Sequence, residues 1–492
     1  MSGLTLLALS IVASAGPNLV PSRPSQAPDY FCTWNIQGYA CSYTGAPATR
    51  ALIDEASLFG KGPLQDWLGF FPRVRKDLLF VMDDSWDVPP SGDGRALGRL
   101  QLDEAKFPSF KGTAVQRMSG LAKAVRAKGW RGLGGWVCAQ ECPLLPQKPL
   151  REYWSDRLEE LSRGGMAYLK VDWGRHDRDA GWREMLAELR PSFCPNTTIE
   201  SALAPDTIRS ADVYRTYDVE TVISAPTTLD RIATLFASPL AKGSPTIVNC
   251  EDEVYIGAAL GCAYGVMRHP LAGPLPDGRQ DFVFPPTCRD LKHHLDEVVR
   301  AVRWHRIAPP FAMGQSDFAR STNTLEDRWT MKDGESYVDR PAGSVASAHA
   351  PAVLARGLPL PKVDCAEPEP PFVVAARYPN RCLSVATVGR ALGRVYRTPL
   401  ADVSVEGATL GRPVGVFGHC RSLSIRFEGK ARPKTIWAQD LAADRSVDVT
   451  REVRIEGDVV TLPGSLIDRI GLAAAQKGDV SDPGLVLVAK GA

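Results

Sequence analysis

Apolar residues along the first two thirds of the chain fall into two alternating textures. Leu78-Leu79-Phe80-Val81-Met82 is an unbroken apolar run, as expected of a strand buried on both faces. Met118, Leu121 and Val125 then recur at helical spacing up to Gly129, where a helix should stop. The alternation repeats: Gly134–Cys138 as strand, Tyr153–Leu161 as helix, Ala167–Val171 as strand, Trp182–Leu189 as helix. Thr198–Glu200, Val213–Arg215 and Thr246–Val248 read as further strands, and His293–His305 as a closing helix. Repeated βα units of this number predict a closed (β/α)8 barrel. A doubly wound open sheet is the alternative, but no G-x-G-x-x-G follows an early strand.

Beyond Pro309-Pro310 the pattern changes to short apolar runs broken by Gly, Pro and Asp. Phe372–Ala375, Leu383–Ala386, Val414–Phe417, Leu423–Phe427, Val459–Leu462 and Leu485–Val488 read as strands, with no helix of comparable length. That texture predicts an antiparallel β-sandwich. The chain therefore divides into a lead over 1–29, a barrel over 30–310 and a sandwich over 311–492.

Composition narrows the class of function. The 492 residues are 44% hydrophobic and 23% charged, with a net charge of +2. This excludes disorder and a small disulfide scaffold. The near-neutral balance argues against nucleic acid as the main partner, and no apolar stretch is long enough to span a bilayer. Leu4–Ala15 has the length of a secretory h-region and ends in Ala13-Ser14-Ala15, but lacks a basic n-region. If it is cleaved, the protein is secreted or periplasmic; otherwise it is cytoplasmic. The eleven cysteines form no CxxC or Cys/His zinc pattern, and Cys138 with Cys142 lacks partners for four ligands. Cys32 and Cys41 could close a loop in an oxidising compartment.

In a (β/α)8 barrel the active site lies at the carboxyl ends of the strands, so acidic residues there are the candidates. Asp83-Asp84 end the first apolar run, Lys170 and Asp172 close LKVD on one face, Glu200 ends TTIE, and Asp218 follows VYR. A single such acid is more often a helix cap or a turn residue. Lys170 is different, because a lysine inside an apolar strand needs a partner such as Asp172. Two separated carboxyl groups with a Lys, an Arg and aromatic faces such as Trp34, Trp86 and Trp136 suit hydrolysis of a glycosidic bond. A lone Trp is more often core than sugar platform. Lys170 also meets the requirement of a Schiff-base aldolase, though Asp172 just beyond it and the Asp83-Asp84 pair favour the glycosidase.

The motifs, taken in order, resemble glycoside hydrolase family 27 and its relatives in family 36. VMDDSW resembles the double-aspartate motif, QLDEAKFPSF with MSGLAKAVRAKGWRGLGGWV the KFP stretch, and YLKVDWG the Leu-Lys-x-Asp strand. IESAL resembles the substrate-recognition loop, RTYDVE the Arg motif ending in the acid/base, and CTWNIQGY a diverged N-terminal Trp motif. The resemblance covers roughly residues 30–310. It implies a retaining α-galactosidase-like enzyme with Asp172 as nucleophile and Asp218 as acid/base. Trp34, Trp136, Asp83, Asp84, Lys170, Glu200, Leu203 and Arg215 would bind the sugar, Glu200 and Leu203 favouring a 2-hydroxyl over an N-acetyl group. It requires no cofactor and no metal, its partner is a galactoside, and it leaves the oligomeric state open. Three positions depart from the family: Trp173-Gly174 stand where a Cys is usual, Arg215 and Asp218 are three apart and not four, and the second Trp of the N-terminal motif is missing. The alternatives that follow are a β-L-arabinopyranosidase, an α-N-acetylgalactosaminidase, or a carbohydrate-binding protein without turnover.

Overall fold

The computed structural model describes residues 16–40, 46–62, 65–217, 223–267, 294–332, 341–430 and 432–491. Eight parallel strands run in sequence around one sheet: β1 (Tyr30–Cys32), β2 (Leu79–Met82), β3 (Gly132–Val137), β4 (Met166–Val171), β5 (Thr198–Ser201), β6 (Val213–Arg215), β7 (Ile247–Asn249) and β8 (Gly265–Val266). β8 pairs with β1, and the Asn249–Ala263 bridge joins β7 to the residues entering β8, so the barrel closes. β2 and β3 are buried along their whole length, which is why they read as unbroken apolar runs.

Local chemistry sets the helix between β2 and β3. Thr113 and Gln116 form a capping box at the start of Ala114–Ala127, and Met118, Leu121, Ala122 and Val125 supply its buried face. Gly129 follows at φ +95°, a conformation open to glycine, and turns the chain into β3.

Helix Leu295–Ile307 packs between the barrel and the second domain, with His305 against Asp29 and Arg306 against Asp77 on the barrel side. Its Trp304 packs against Tyr378 and Phe417 from that domain. Arg300 donates to both carboxylate oxygens of Asp440, at 2.9 and 3.1 Å, with both side chains fully buried. One hydrophobic core runs from the barrel helices through Trp304 into the sandwich.

The second domain stacks two sheets around its own core of Val373, Val385, Val403, Ile425, Val460 and Leu487 among others. The larger sheet orders Val447–Asp448, Thr435–Asp440, Gly484–Lys490, Val414–Phe417, Leu383–Val388, Phe372–Arg377, Val353–Arg356 and Phe318–Arg320. The smaller orders Lys362–Asp364, Asp402–Ala408, Ser422–Phe427, Val459–Pro463 and Arg454–Glu456. The architecture is the expected sandwich, but its sheets are mixed. Leu383–Val388 lies parallel to Val414–Phe417, and Asp402–Ala408 parallel to Ser422–Phe427. Such pairs need longer connections than hairpins, a feature that apolar runs do not encode. A further four-stranded sheet includes Thr324–Thr330 and Val345–Pro351.

The Pro-rich lead from Gly16 onward is anchored. Gly16 N donates to Ser446 O at 2.8 Å, and Leu19 N to Gln439 Oε1 at 2.6 Å. The Leu4–Ala15 segment and Cys41 lie outside the described residues. Among the described residues every cysteine is a free thiol, Cys32, Cys138 and Cys142 included. No described helix is long and apolar enough to cross a membrane, and no described group of His, Cys, Asp and Glu is placed to hold a metal ion.

Candidate active site

The side chains that close β4 alternate inward, and so Tyr168, Lys170 and Asp172 share the barrel interior. Lys170 Nζ lies 2.8 Å from Asp172 Oδ2 and 2.8 Å from Asp83 Oδ2, bridging two strands that are not neighbours. Arg215, at the end of β6, brings Nη2 to 3.1 Å from the same Asp172 oxygen. Two cations thus converge on one oxygen of one carboxylate. The pair of carboxylates beside Lys170 holds its ammonium well above the ordinary lysine value despite burial.

The loop after β2 is fixed from several sides. Asp83 N donates to Thr33 Oγ1 at 2.7 Å, the Cys32 thiol to Asp83 Oδ2 at 2.7 Å, and Asp84 N to Asp83 Oδ1 at 2.8 Å. Gln37 Nε2 donates to Asp84 O at 3.0 Å. Lys106, the lysine of the KFP stretch, sends Nζ to Ser85 O at 2.8 Å and to Arg50 O, which pins the loop from below. Burial pushes the Asp84 carboxyl up to about 7, against the hydrogen bond from Ser85 that pulls it down. Asp87, buried behind it, is pushed up to about 6 for the same reason.

Behind Asp172, Arg183 donates to the Asp172 carbonyl at 3.3 Å and to Ser201 Oγ at 2.8 Å. Gly174, at φ +150°, lets the loop pass against Ala139, where an added Cβ would come within 2.6 Å of backbone. Ala139 N in turn donates to Trp173 O at 2.9 Å. A close backbone crossing therefore occupies Trp173-Gly174, the two residues after Asp172.

Glu200, Arg215 and Asn249 complete the ring. Arg215 Nε is 3.2 Å from Glu200 Oε1, and Nη1 is 3.2 Å from Glu251 Oε1. Its guanidinium carbon also lies 4.5 Å from the Tyr217 ring centre. Ser85, Leu203, Tyr217 and Glu251, each just past a different strand, all have positive φ, between 51° and 76°. Non-glycine residues held there store about 1–3 kcal/mol each, and such strain clusters where function demands a geometry. Four such residues ring one mouth of the barrel.

Asp83, Asp84, Lys170, Asp172, Glu200 and Arg215 are thus brought together, with Leu203 half-buried on the rim. Trp34 is partly exposed and packs beside Tyr30 and Cys32. Trp136 is 1% exposed and packs with Trp173, Val88 and Cys138; Trp86 is fully buried and donates Nε1–H to Trp136 O at 2.9 Å. Both rings belong to the packing under the site. Asp218 lies outside the described residues.

Tyr30, Tyr168, Asn249, Glu251 and Arg183 were not singled out from the sequence, and Cys32 was marked only as a disulfide candidate. The rule applied to Glu200, an acid just past an apolar strand, also fits Glu251 after Ile247-Val248-Asn249. The two-residue period that pairs Lys170 with Asp172 also selects Tyr168.

No known family profile and no curated protein sequence matches the chain. Solved structures of similar fold include a GH27 β-L-arabinopyranosidase from Geobacillus stearothermophilus, in complex with arabinose. It is 11% identical over 95% of this chain and 97% of its own, with a TM-score of 0.45. Alpha-galactosidase I from Mortierella vinacea is 10% identical over 95% and 98%, with a TM-score of 0.41. Alpha-galactosidase from Saccharomyces cerevisiae, with raffinose, is 11% identical over 96% and 97%, with a TM-score of 0.37. Likenesses at that level decide nothing about chemistry, which rests on the site itself.

Proposed function

We propose that the protein is a retaining exo-glycosidase acting on terminal α-D-galactosides, with Asp172 as nucleophile. The observation that carries this reading is the convergence of Lys170 and Arg215 on Asp172 Oδ2. Paired cations keep the carboxylate ionised and oriented, as a nucleophile toward an oxocarbenium-like centre must be. A carboxylate oxygen of Asp172 attacks the anomeric carbon. Its bond to the anomeric carbon forms as the bond to the departing oxygen breaks. That oxygen takes a proton from Asp218, the acid/base in this reading. Water then attacks the glycosyl ester, gives its proton back to Asp218 and frees Asp172.

Asp83, Asp84 and Lys170 line the approach with donors and acceptors suited to sugar hydroxyls. A neutral glycoside needs no long-range steering, in keeping with a net charge of +2. The Schiff-base alternative loses support, because that chemistry needs a neutral amine and Lys170 is held protonated between two carboxylates.

The test is turnover of aryl α-D-galactoside, aryl β-L-arabinopyranoside and aryl α-N-acetylgalactosaminide by purified protein, with Asp172→Asn as control. Hydrolysis of the galactoside, lost in Asp172→Asn, supports the reading. Faster arabinopyranoside turnover would reassign the substrate within the same chemistry. Galactose binding without any turnover would make the protein a lectin-like binder.

A further inference from the structure

Glu200 is the residue to which the family resemblance assigns the sugar's 2-hydroxyl, yet protein already encloses it. Tyr30 Oη donates to Oε1 at 3.0 Å, Tyr168 Oη to Oε2 at 2.8 Å, and Asn249 Nδ2 to Oε2 at 2.6 Å. Arg215 Nε stands against Oε1 at 3.2 Å. Three donors thus hydrogen-bond to the two oxygens of Glu200, and Arg215 adds an ion pair without hydrogen-bond alignment. Glu200 is 0% exposed. Burial and the nearby Glu200 charge push both phenols well above the ordinary tyrosine value, so both remain protonated donors.

The enclosure is built from five strands. Tyr30 comes from β1, Tyr168 from β4, Asn249 from β7 and Arg215 from β6, around Glu200 on β5. Space for the Tyr30 ring depends on β8. Gly265 pairs in register with Tyr30, and a Cβ there would meet the ring at 2.2 Å. The two tyrosine rings pack at 5.1 Å between centroids. The cation that this enclosure presents to Glu200 is Arg215, whose other arms reach Asp172 and Glu251.

We propose that Glu200, closed in by Tyr30, Tyr168 and Asn249, is a positioning residue that holds Arg215 against Asp172 and does not read the sugar's 2-hydroxyl. The proposal rests on the assignment of Asp172 as nucleophile. It gives the enclosure a role in the reaction cycle. When Asp172 becomes an ester it loses its negative charge, and the cations facing it lose a counter-charge. Arg215 then still faces Glu200 and Glu251, and Lys170 still faces Asp83. Fixed carboxylates behind both cations keep them in place while Asp172 alternates between carboxylate and ester.

The experiment compares wild type, Glu200→Gln and Tyr30→Phe on an aryl α-D-galactoside and its 2-deoxy analogue, together with the crystal structure of Glu200→Gln. The expected result is a fall in kcat of about 10²-fold for Glu200→Gln, as misplacement of a catalytic group costs. KM and the ratio of kcat/KM between the two substrates stay at wild-type values. Tyr30→Phe, which keeps the ring and loses only the hydroxyl, lowers kcat less and leaves the same ratio; it carries the kinetic test if Glu200→Gln does not fold. A rise in KM with the substrate ratio collapsing in Glu200→Gln would overturn the proposal, because Glu200 would then be touching the 2-hydroxyl. If wild type hydrolyses no glycoside, the glycosidase reading fails by itself. The crystal structure then decides the positioning role: Arg215 withdrawn from Asp172 supports it, and Arg215 unmoved overturns it.

Discussion

Lys170 Nζ lies 2.8 Å from Asp172 Oδ2, two residues further along the same strand, and its other contact is Asp83 at 2.8 Å. Removing the ammonium leaves two buried carboxylates facing each other. Lys170→Met is therefore expected to destabilise the protein by about 3–5 kcal/mol, the cost of breaking a buried ion pair from one side. It should also lower kcat by more than about 10²-fold. Lys170→Met combined with Asp83→Asn should recover much of the stability in urea unfolding and none of the activity. Recovery of activity in the double variant would separate Lys170 from the chemistry.

Asp84 sets a pH dependence of stability. Its carboxyl is pushed up to about 7 in the folded protein, against an ordinary aspartate near 4. Below about pH 4 both folded and unfolded chains carry the proton, and between about 4 and 7 only the folded chain does. Stability contributed by the protonated form is thus complete at acid pH and lost as pH rises through that window, by up to about 1.4 kcal/mol per unit. Asp87, pushed up to about 6, adds to the acid half of the same slope. Urea midpoints of wild type should fall between pH 4 and 7, and Asp84→Asn should flatten that fall.

Lys106 acts at a distance from the chemistry. It holds the carbonyl of Ser85, a residue at φ 76° that turns the chain out of the double aspartate. Burial lowers its ammonium to about 8. Lys106→Met should loosen the Asp83-Asp84 loop, raising KM and lowering kcat/KM by about 10-fold or more. Unchanged kinetics would show that Cys32, Thr33 and Gln37 hold the loop without it.

Arg300 and Asp440 join the barrel's last helix to the sandwich by a fully buried two-pronged pair. Arg300→Met should cost about 3–5 kcal/mol in urea unfolding. Arg300→Met with Asp440→Asn should cost less than Arg300→Met alone, because the buried carboxylate is then no longer charged. The sandwich would then be seen to act as a structural partner of the barrel.

Most of the barrel was legible from residues alone, for a physical reason. β2 and β4 are buried on both faces, and their apolar runs leave Lys170 conspicuous. β1 and β8 are three and two residues long, too short for any periodicity, and so Tyr30 and its accommodation by Gly265 escaped notice. The sandwich strands were legible from their short apolar runs, but not their mixed directions, which depend on long connections. Asp83, Lys170 and Asp172 stand out as charges at strand ends, whereas Arg215 is marked only by the family resemblance. That Glu200 is enclosed could not be read, because its partners come from four other strands, far apart in sequence. Trp86 and Trp136 illustrate the converse: a ring near a strand end looks the same in sequence whether it faces a ligand or fills the core.

A retaining mechanism requires Asp172 to form a covalent bond to the sugar. Wild-type protein treated with 5-fluoro-α-D-galactosyl fluoride, digested and analysed by mass spectrometry tests it directly. A fluoroglycosyl ester on the peptide carrying Asp172, with release of the α-anomer first in normal turnover, is the predicted result. An adduct on Asp83, Asp84 or Glu251, or first release of the β-anomer, would contradict Asp172 as the nucleophile of a retaining enzyme.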